Sequence, residues 1–287
     1  MSILLGHGSN RERTLEAFGV AQGVVIADGD AELLYTLSGL FVGLVVGVTG
    51  VGGGSLMTPI LVLLFGVHPA TAVGTDLLYA AATKSVGTAV HGFNGTVVWR
   101  VTGLLALGSA PTAFVMIFLL NHYGPFGAGA SALITTILGY ALLLTAAAML
   151  LRGRIQAYAA SRVGRINPAT RTALTILTGI VLGVFVSLSS VGAGALGVTA
   201  LILLYPEVPT AQIVGSDIAH AVPLTLVAGF GHWLIGSVNF GTLGLLLIGS
   251  IPGIIAGSFI APRLPDYWLR PLLAIVLVFV GARLVIV

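Results

Sequence analysis

The chain has 287 residues, of which 57% are hydrophobic and only 7% charged, with a formal net charge of +3. Roughly a quarter to a third of a soluble surface must be charged, so a soluble globular domain is excluded. The few basic residues are mostly arginines at segment ends and in loops, a pattern of topology control rather than nucleic-acid binding. The absence of cysteine excludes disulfides, thiolate metal sites and cysteine nucleophiles.

Residues 1–32 are polar and hold five of the nine acidic residues. They lack the basic-then-apolar order of a cleaved signal peptide and read as a soluble lead segment. Apolar runs follow at 33–48, 56–67, 70–91, 101–120 and 128–151. A basic stretch at 152–171 carries Arg152, Arg154, Arg162, Arg165 and Arg171, and five more apolar runs occupy 172–188, 196–205, 211–235, 240–261 and 268–287. About 20 apolar residues span a bilayer as a helix. In lipid every backbone polar group must be satisfied internally, so these runs predict an all-α integral membrane protein of eight to ten transmembrane segments. Long alternating strands are absent, which argues against a barrel.

The two halves repeat. Val51-Gly52-Gly53-Gly54-Ser55-Leu56 aligns with Val191-Gly192-Ala193-Gly194-Ala195-Leu196 at an offset of 140, as does Pro69 with Pro209. At an offset of 141, Gly74-Thr75-Asp76 aligns with Gly215-Ser216-Asp217, His91 with His232, Gly95 with Gly236 and Pro111 with Pro252. The organisation read from this is a lead (1–32), a first repeat (33–151), a basic cytoplasmic loop (152–171) and a second repeat (172–287). Paired repeats are a hallmark of secondary transporters. Five segments per half would invert the copies. With the basic loop inside, Arg100, Arg263 and Arg270 also fall inside, as the positive-inside rule requires. The second run of each half is short. If those runs are re-entrant, each half crosses four times and the copies are parallel.

Chemistry concentrates in two places. The glycine-rich junctions Gly50–Ser55 and Ser189–Gly194 each lie where one run stops and a short one starts. Glycine breaks a helix and exposes backbone amides, and the next helix starts with its positive dipole end there. Gly52, Gly53, Gly54, Ser55, Ser190, Gly192 and Gly194 are therefore candidate donors to an anion. The competing reading is that these glycines only let helices pack closely.

The second place is a set of ionisable residues at membrane depth. Asp76 and Lys84 lie in one run and Asp217 in its counterpart; Lys84 is the only lysine of the chain. Charges there cost several kcal/mol and mark a site or a buried pair. At 100° per residue Asp76, Thr83, Gly87 and His91 share a stripe of about 80°, which Asp217, Ala228 and His232 repeat, with His220 beside them. Asp76, His91, Asp217, His220 and His232 are candidates for proton coupling or for orienting helices. Each aspartate follows a Gly-Thr or Gly-Ser pair near a segment end, so helix capping competes with those roles. No HExxH pattern, carboxylate dyad or nucleophile elbow occurs, so no catalysis, metal or cofactor is expected.

Residues 47–61 (Gly-Val-Thr-Gly-Val-Gly-Gly-Gly-Ser-Leu-Met-Thr-Pro-Ile-Leu) and 68–77 (His-Pro-Ala-Thr-Ala-Val-Gly-Thr-Asp-Leu) resemble the sulfite exporter TauE/SafE family, as do Gly192-Ala-Gly-Ala-Leu and Gln212-Ile-Val-Gly-Ser-Asp of the second copy. The resemblance covers residues 33–287. It implies a multi-pass carrier in the bacterial inner membrane for sulfite, a sulfonate such as sulfoacetate, or a related organic anion. Ala193 and Ala195 depart from Gly53 and Ser55 of the first copy, so the two junctions need not bind alike. Together these features predict a secondary transporter whose partners are a small anionic substrate and the lipid bilayer. An anion channel and a non-transporting membrane assembly protein stand as alternatives, and the oligomeric state, a homo-oligomer included, stays open.

Overall fold

The computed structural model describes residues 28–49, 54–123, 128–161, 167–260 and 266–286. Among these the regular structure is wholly α-helical: α1 Asp28–Thr49, α2 Gly54–Leu63, α3 Pro69–Phe93, α4 Trp99–Tyr123, α5 Ala128–Ala160, α6 Pro168–Ser189, α7 Ala195–Leu204, α8 Thr210–Leu234, α9 Phe240–Ile260 and α10 Asp266–Ile286. Six of them, α1, α4, α5, α6, α8 and α9, are long and apolar enough to cross a membrane. The expectation of an all-helical membrane protein therefore holds. The polar lead of the sequence lies almost entirely outside the described residues.

Exposed side chains explain the solvent. Leu107, Phe114, Val115 and Phe118 form an open apolar flank on α4. A patch of that kind is untenable in water and ordinary against lipid. The polar residues turn inward instead. On α3, Thr75, Asp76, Thr83 and Lys84 are all buried, because a helix holding charges can sit at membrane depth only where other helices cover them.

Small residues set the closest contacts. Gly39 and Gly43 of α1 lie directly on the backbone of Leu246 and Ser250 of α9, and Gly179 and Gly183 of α6 lie on Leu105 and Ser109 of α4. A Cβ at any of these positions would meet a carbonyl, the small-residue packing of helices that gain nothing from excluding water. In both pairs residue numbers rise together, so the helices run parallel. On α3 and α8, Leu78 lies against Gly229 and Gly87 against Ile218, so these two run antiparallel. The same opposition holds for α5 and α10, where Gly139 meets Val285 and Leu143 meets Gly281.

Two apolar clusters flank α3. Val42, Met57, Leu61, Leu142 and Leu246 gather on one side, with Tyr79 of α3 among them. Leu182, Val186, Ala221 and Leu224 gather on the other, with Val73 and Leu77. This central helix thus joins both.

The basic stretch differs from its sequence reading. α5 runs on to Ala160, carrying Arg152 and Arg154, and α6 begins at Pro168 behind an Asn167 cap whose side chain accepts from the Ala169 amide. The apolar run marks where lipid ends, whereas the helix continues through Ala, Gln and Arg, all good helix formers. Arg171 pairs with Glu207 and lies over the Tyr205 ring, while Arg162 and Arg165 fall outside the described residues.

Candidate functional site

The second glycine junction is a sharp break. α6 ends at Ser189, and Ser190 takes a left-handed backbone with φ 58°, its N–H bonding the Val186 carbonyl. Gly192 and Gly194 then adopt φ 125° and 130°, and α7 starts at Ala195 with no side chain capping it. A Cβ on Gly192 would meet only ordinary van der Waals neighbours. Glycine is required there by backbone conformation rather than by crowding. Of the first junction, Gly52 and Gly53 lie outside the described residues; Gly54 opens α2, and Ser55 is buried in its first turn.

Lys84 reaches this break from α3. Its ammonium donates to the Ala193 carbonyl oxygen at 3.0 Å. It is 5% exposed, and Asp76 and Asp217 are fully buried. The ammonium attracts both carboxylates, yet forms no close ion pair with either. One cation is thus shared between one aspartate from each half of the chain.

The two carboxylates are held differently. Asp76 Oδ2 accepts from Thr58 Oγ1 of α2 at 2.5 Å. The Ser190 hydroxyl faces Asp76, although neither it nor Asp76 Oδ1 completes a hydrogen bond of good geometry. Asp217 lies at the start of α7. The Gly194 amide faces it, and a Cβ on Gly197 would strike its carboxylate, but both oxygens lack a completed partner. Neither aspartate caps its own helix. Asp76 and Asp217 each follow seven residues of helix, beyond the first-turn amides that a cap satisfies.

The histidines divide. His220 joins the cluster: its Nδ1 is 4.0 Å from Asp217 Oδ1, and its Nε2 is 2.9 Å from Ser109 Oγ. His232 donates through Nε2 to the Ser187 carbonyl at 2.9 Å, and its Cβ packs on Gly74. His91 bonds Thr96 Oγ1 at 2.8 Å and lies against Gly215. These two take matching seats on opposite halves, outside the set that shares the Lys84 charge.

Lys84, Asp76, Asp217, His220, Ser190 and Gly194 therefore converge as a group of candidate residues. Thr58 and the Ala193 carbonyl also belong to it. Neither carries a signal in the sequence: the counterpart of Thr58 at the offset of 140 is Val198, and any residue supplies a carbonyl. Chemically the group offers a cation, two carboxylates and an uncapped helix N-terminus, which suits ion binding and proton exchange. It offers no activated nucleophile.

Residues 35–284 match the family model described as "Sulfite exporter TauE/SafE". The chain is 39% identical over 250 residues to "Probable membrane transporter protein YjnA" of Bacillus subtilis (strain 168), covering 87% of this chain and 98% of that one. It is 30% identical over 232 residues to a "Probable membrane transporter protein" of Xylella fastidiosa (strain Temecula1 / ATCC 700964), covering 79% and 84%. No solved structure matches. With six helices long and apolar enough to cross a bilayer, and with this match over most of its length, the chain belongs to the TauE/SafE family of membrane transporters.

Proposed function

We propose that this transporter carries a small anion, sulfite or a sulfonate such as sulfoacetate, by alternating access between two inverted repeats. The anion would bind beside Lys84 at the start of α7. The observation that carries this reading is Lys84 itself: the sole lysine, buried, bridging from the first half to the break in the second. A buried cation beside an uncapped helix N-terminus is where an anion gains most. The family description names sulfite export. By analogy the first junction, Gly52 to Ser55, would serve the same space, as Ser190, Gly192 and Gly194 do.

Inverted repeats are supported by pairs of contacts that exchange when the halves are exchanged. Gly39 on Leu246 corresponds to Gly179 on Leu105, and Gly43 on Ser250 to Gly183 on Ser109. The Asn239 amide donates to Thr75 Oγ1 at 3.1 Å, and the Val98 amide to Ser216 Oγ at 2.8 Å. Equivalent helices α3 and α8 run antiparallel. Parallel copies would make them parallel. On this reading α2 and α7, each about 15 Å long at 1.5 Å per residue, are the short returning segments of the two copies.

Purified protein in liposomes, offered a panel of sulfite, sulfonates and carboxylates, tests the function. Saturable flux with counterflow is expected. Flux that never saturates would make it a channel. No flux of any anion from liposomes containing only this protein would point to an assembly role.

A further inference from the structure

The backbone features that could attract an anion at the second junction are directed at Asp217. The Gly194 amide faces it and the start of α7 lies on it. The Lys84 ammonium attracts it. Asp217 is nonetheless less firmly held than its counterpart. Asp76 has the Thr58 hydroxyl, whereas Val198 takes that place in the second repeat and both Asp217 oxygens lack a completed hydrogen bond. A buried carboxylate with favourable charge around it but no fixed donor is suited to leave.

We propose, resting on the anion-carrier reading above, that Asp217 holds the anion's place in the empty transporter and that each monovalent anion binds together with one proton. Charge balance requires the coupling. Asp76 and Asp217 already share one ammonium, and a substrate anion would be a third buried negative charge, which the ammonium and one helix terminus do not offset at low dielectric. When substrate enters, Asp217 must take up a proton, its carboxylate becoming a carboxylic acid with no other bond made or broken. The complex of anion and proton then adds no net charge, so transport is electroneutral. His220 Nδ1, unpartnered and 4.0 Å from Asp217 Oδ1, is placed to pass that proton.

The other titratable groups around Asp217 do not replace it. On α3 they are Lys84, Asp76, Tyr79 and His91, and on α8 His220 and His232; α7 has none, and α4 meets this region through Ser109, bonded to His220. Asp76 is tied to Thr58, and His91 and His232 are engaged at Thr96 and Ser187. A sodium ion in the proton's place would need several oxygen ligands, and the Lys84 ammonium already occupies the Ala193 carbonyl.

The test uses methanesulfonate, ethanesulfonate and isethionate, whose single ionisable group, the sulfonate, keeps one negative charge at every pH used. Titration calorimetry of the full chain, repeated in buffers of different ionisation enthalpy, counts protons taken up per anion. About one is expected, with affinity falling about tenfold per pH unit while Asp217 is ionised. Asp217→Asn should bind with no proton uptake and no pH dependence, and more tightly than the native protein at alkaline pH. Binding of a sulfonate without proton uptake, a sodium requirement in its place, or loss of all binding in folded Asp217→Asn would overturn the coupling alone. If Asp217→Asn does not fold, the native proton count decides. Native protein that binds none of the three sulfonates overturns the carrier reading for sulfonates, and the coupling with it.

Discussion

Lys84 Nζ donates to the backbone oxygen of Ala193, 109 residues away, at 3.0 Å. This one contact ties the central helix of the first half to the glycine break of the second. It also places the only lysine between two buried carboxylates.

Replacing that lysine should cost binding before it costs folding. Hydrogen bonds to charged groups contribute about 1.5–3 kcal/mol, so Lys84→Met should weaken anion affinity by roughly ten- to a hundredfold. Lys84→Arg keeps the charge on a bulkier, planar fork and should recover part of it. Affinity and flux of the purified variants are the measurements. Unchanged values for folded Lys84→Met would remove Lys84 from the site.

The glycines should separate into two kinds. Gly192 needs its positive φ, and a side chain there costs about 1–3 kcal/mol of strain while leaving the neighbours room. Gly192→Ala should therefore lose more anion affinity than thermal stability. Gly179 has no room against the Leu105 carbonyl, so Gly179→Val should lose thermal stability and yield, with affinity intact in whatever folds. Melting temperature and affinity on the same preparations decide. The reverse pattern would return the junction glycine to a packing role.

Thr58→Val removes the donor to Asp76 at nearly constant volume. Leaving a buried acceptor unsatisfied costs about 1–3 kcal/mol, so the melting temperature should fall by several degrees. Thr58→Ser, which keeps the hydroxyl, should restore most of it. Equal stability of all three proteins would show that the contact contributes nothing.

Inversion of the halves is testable because the chain has no cysteine. Asn94, exposed, and Ile235, half-buried, follow α3 and α8 and are 141 residues apart, the offset of the proposed repeat. Asn94→Cys should react with a membrane-impermeant thiol reagent from the cytoplasmic side and Ile235→Cys from the opposite side. Labelling of both from one side would make the repeats parallel.

Much of this protein was legible in the amino-acid sequence because a bilayer acts on composition. Apolar runs located the helices, and Gly74-Thr75-Asp76 against Gly215-Ser216-Asp217 raised the expectation of two repeats. The cost of charge in lipid singled out Lys84, Asp76 and Asp217 before any contact was known. Only the tertiary structure decided what those residues meet. That Lys84 reaches Ala193, that Asp217 lies at the start of α7 rather than capping α8, and that His220 joins the cluster while His91 and His232 do not, all depend on how helices far apart in the chain are set against each other. The direction of α3 against α8 belongs to the same class. Spacing along a helix defines which face a residue occupies; which partner covers that face is fixed by glycine-to-backbone contacts between distant segments, and no local pattern encodes them.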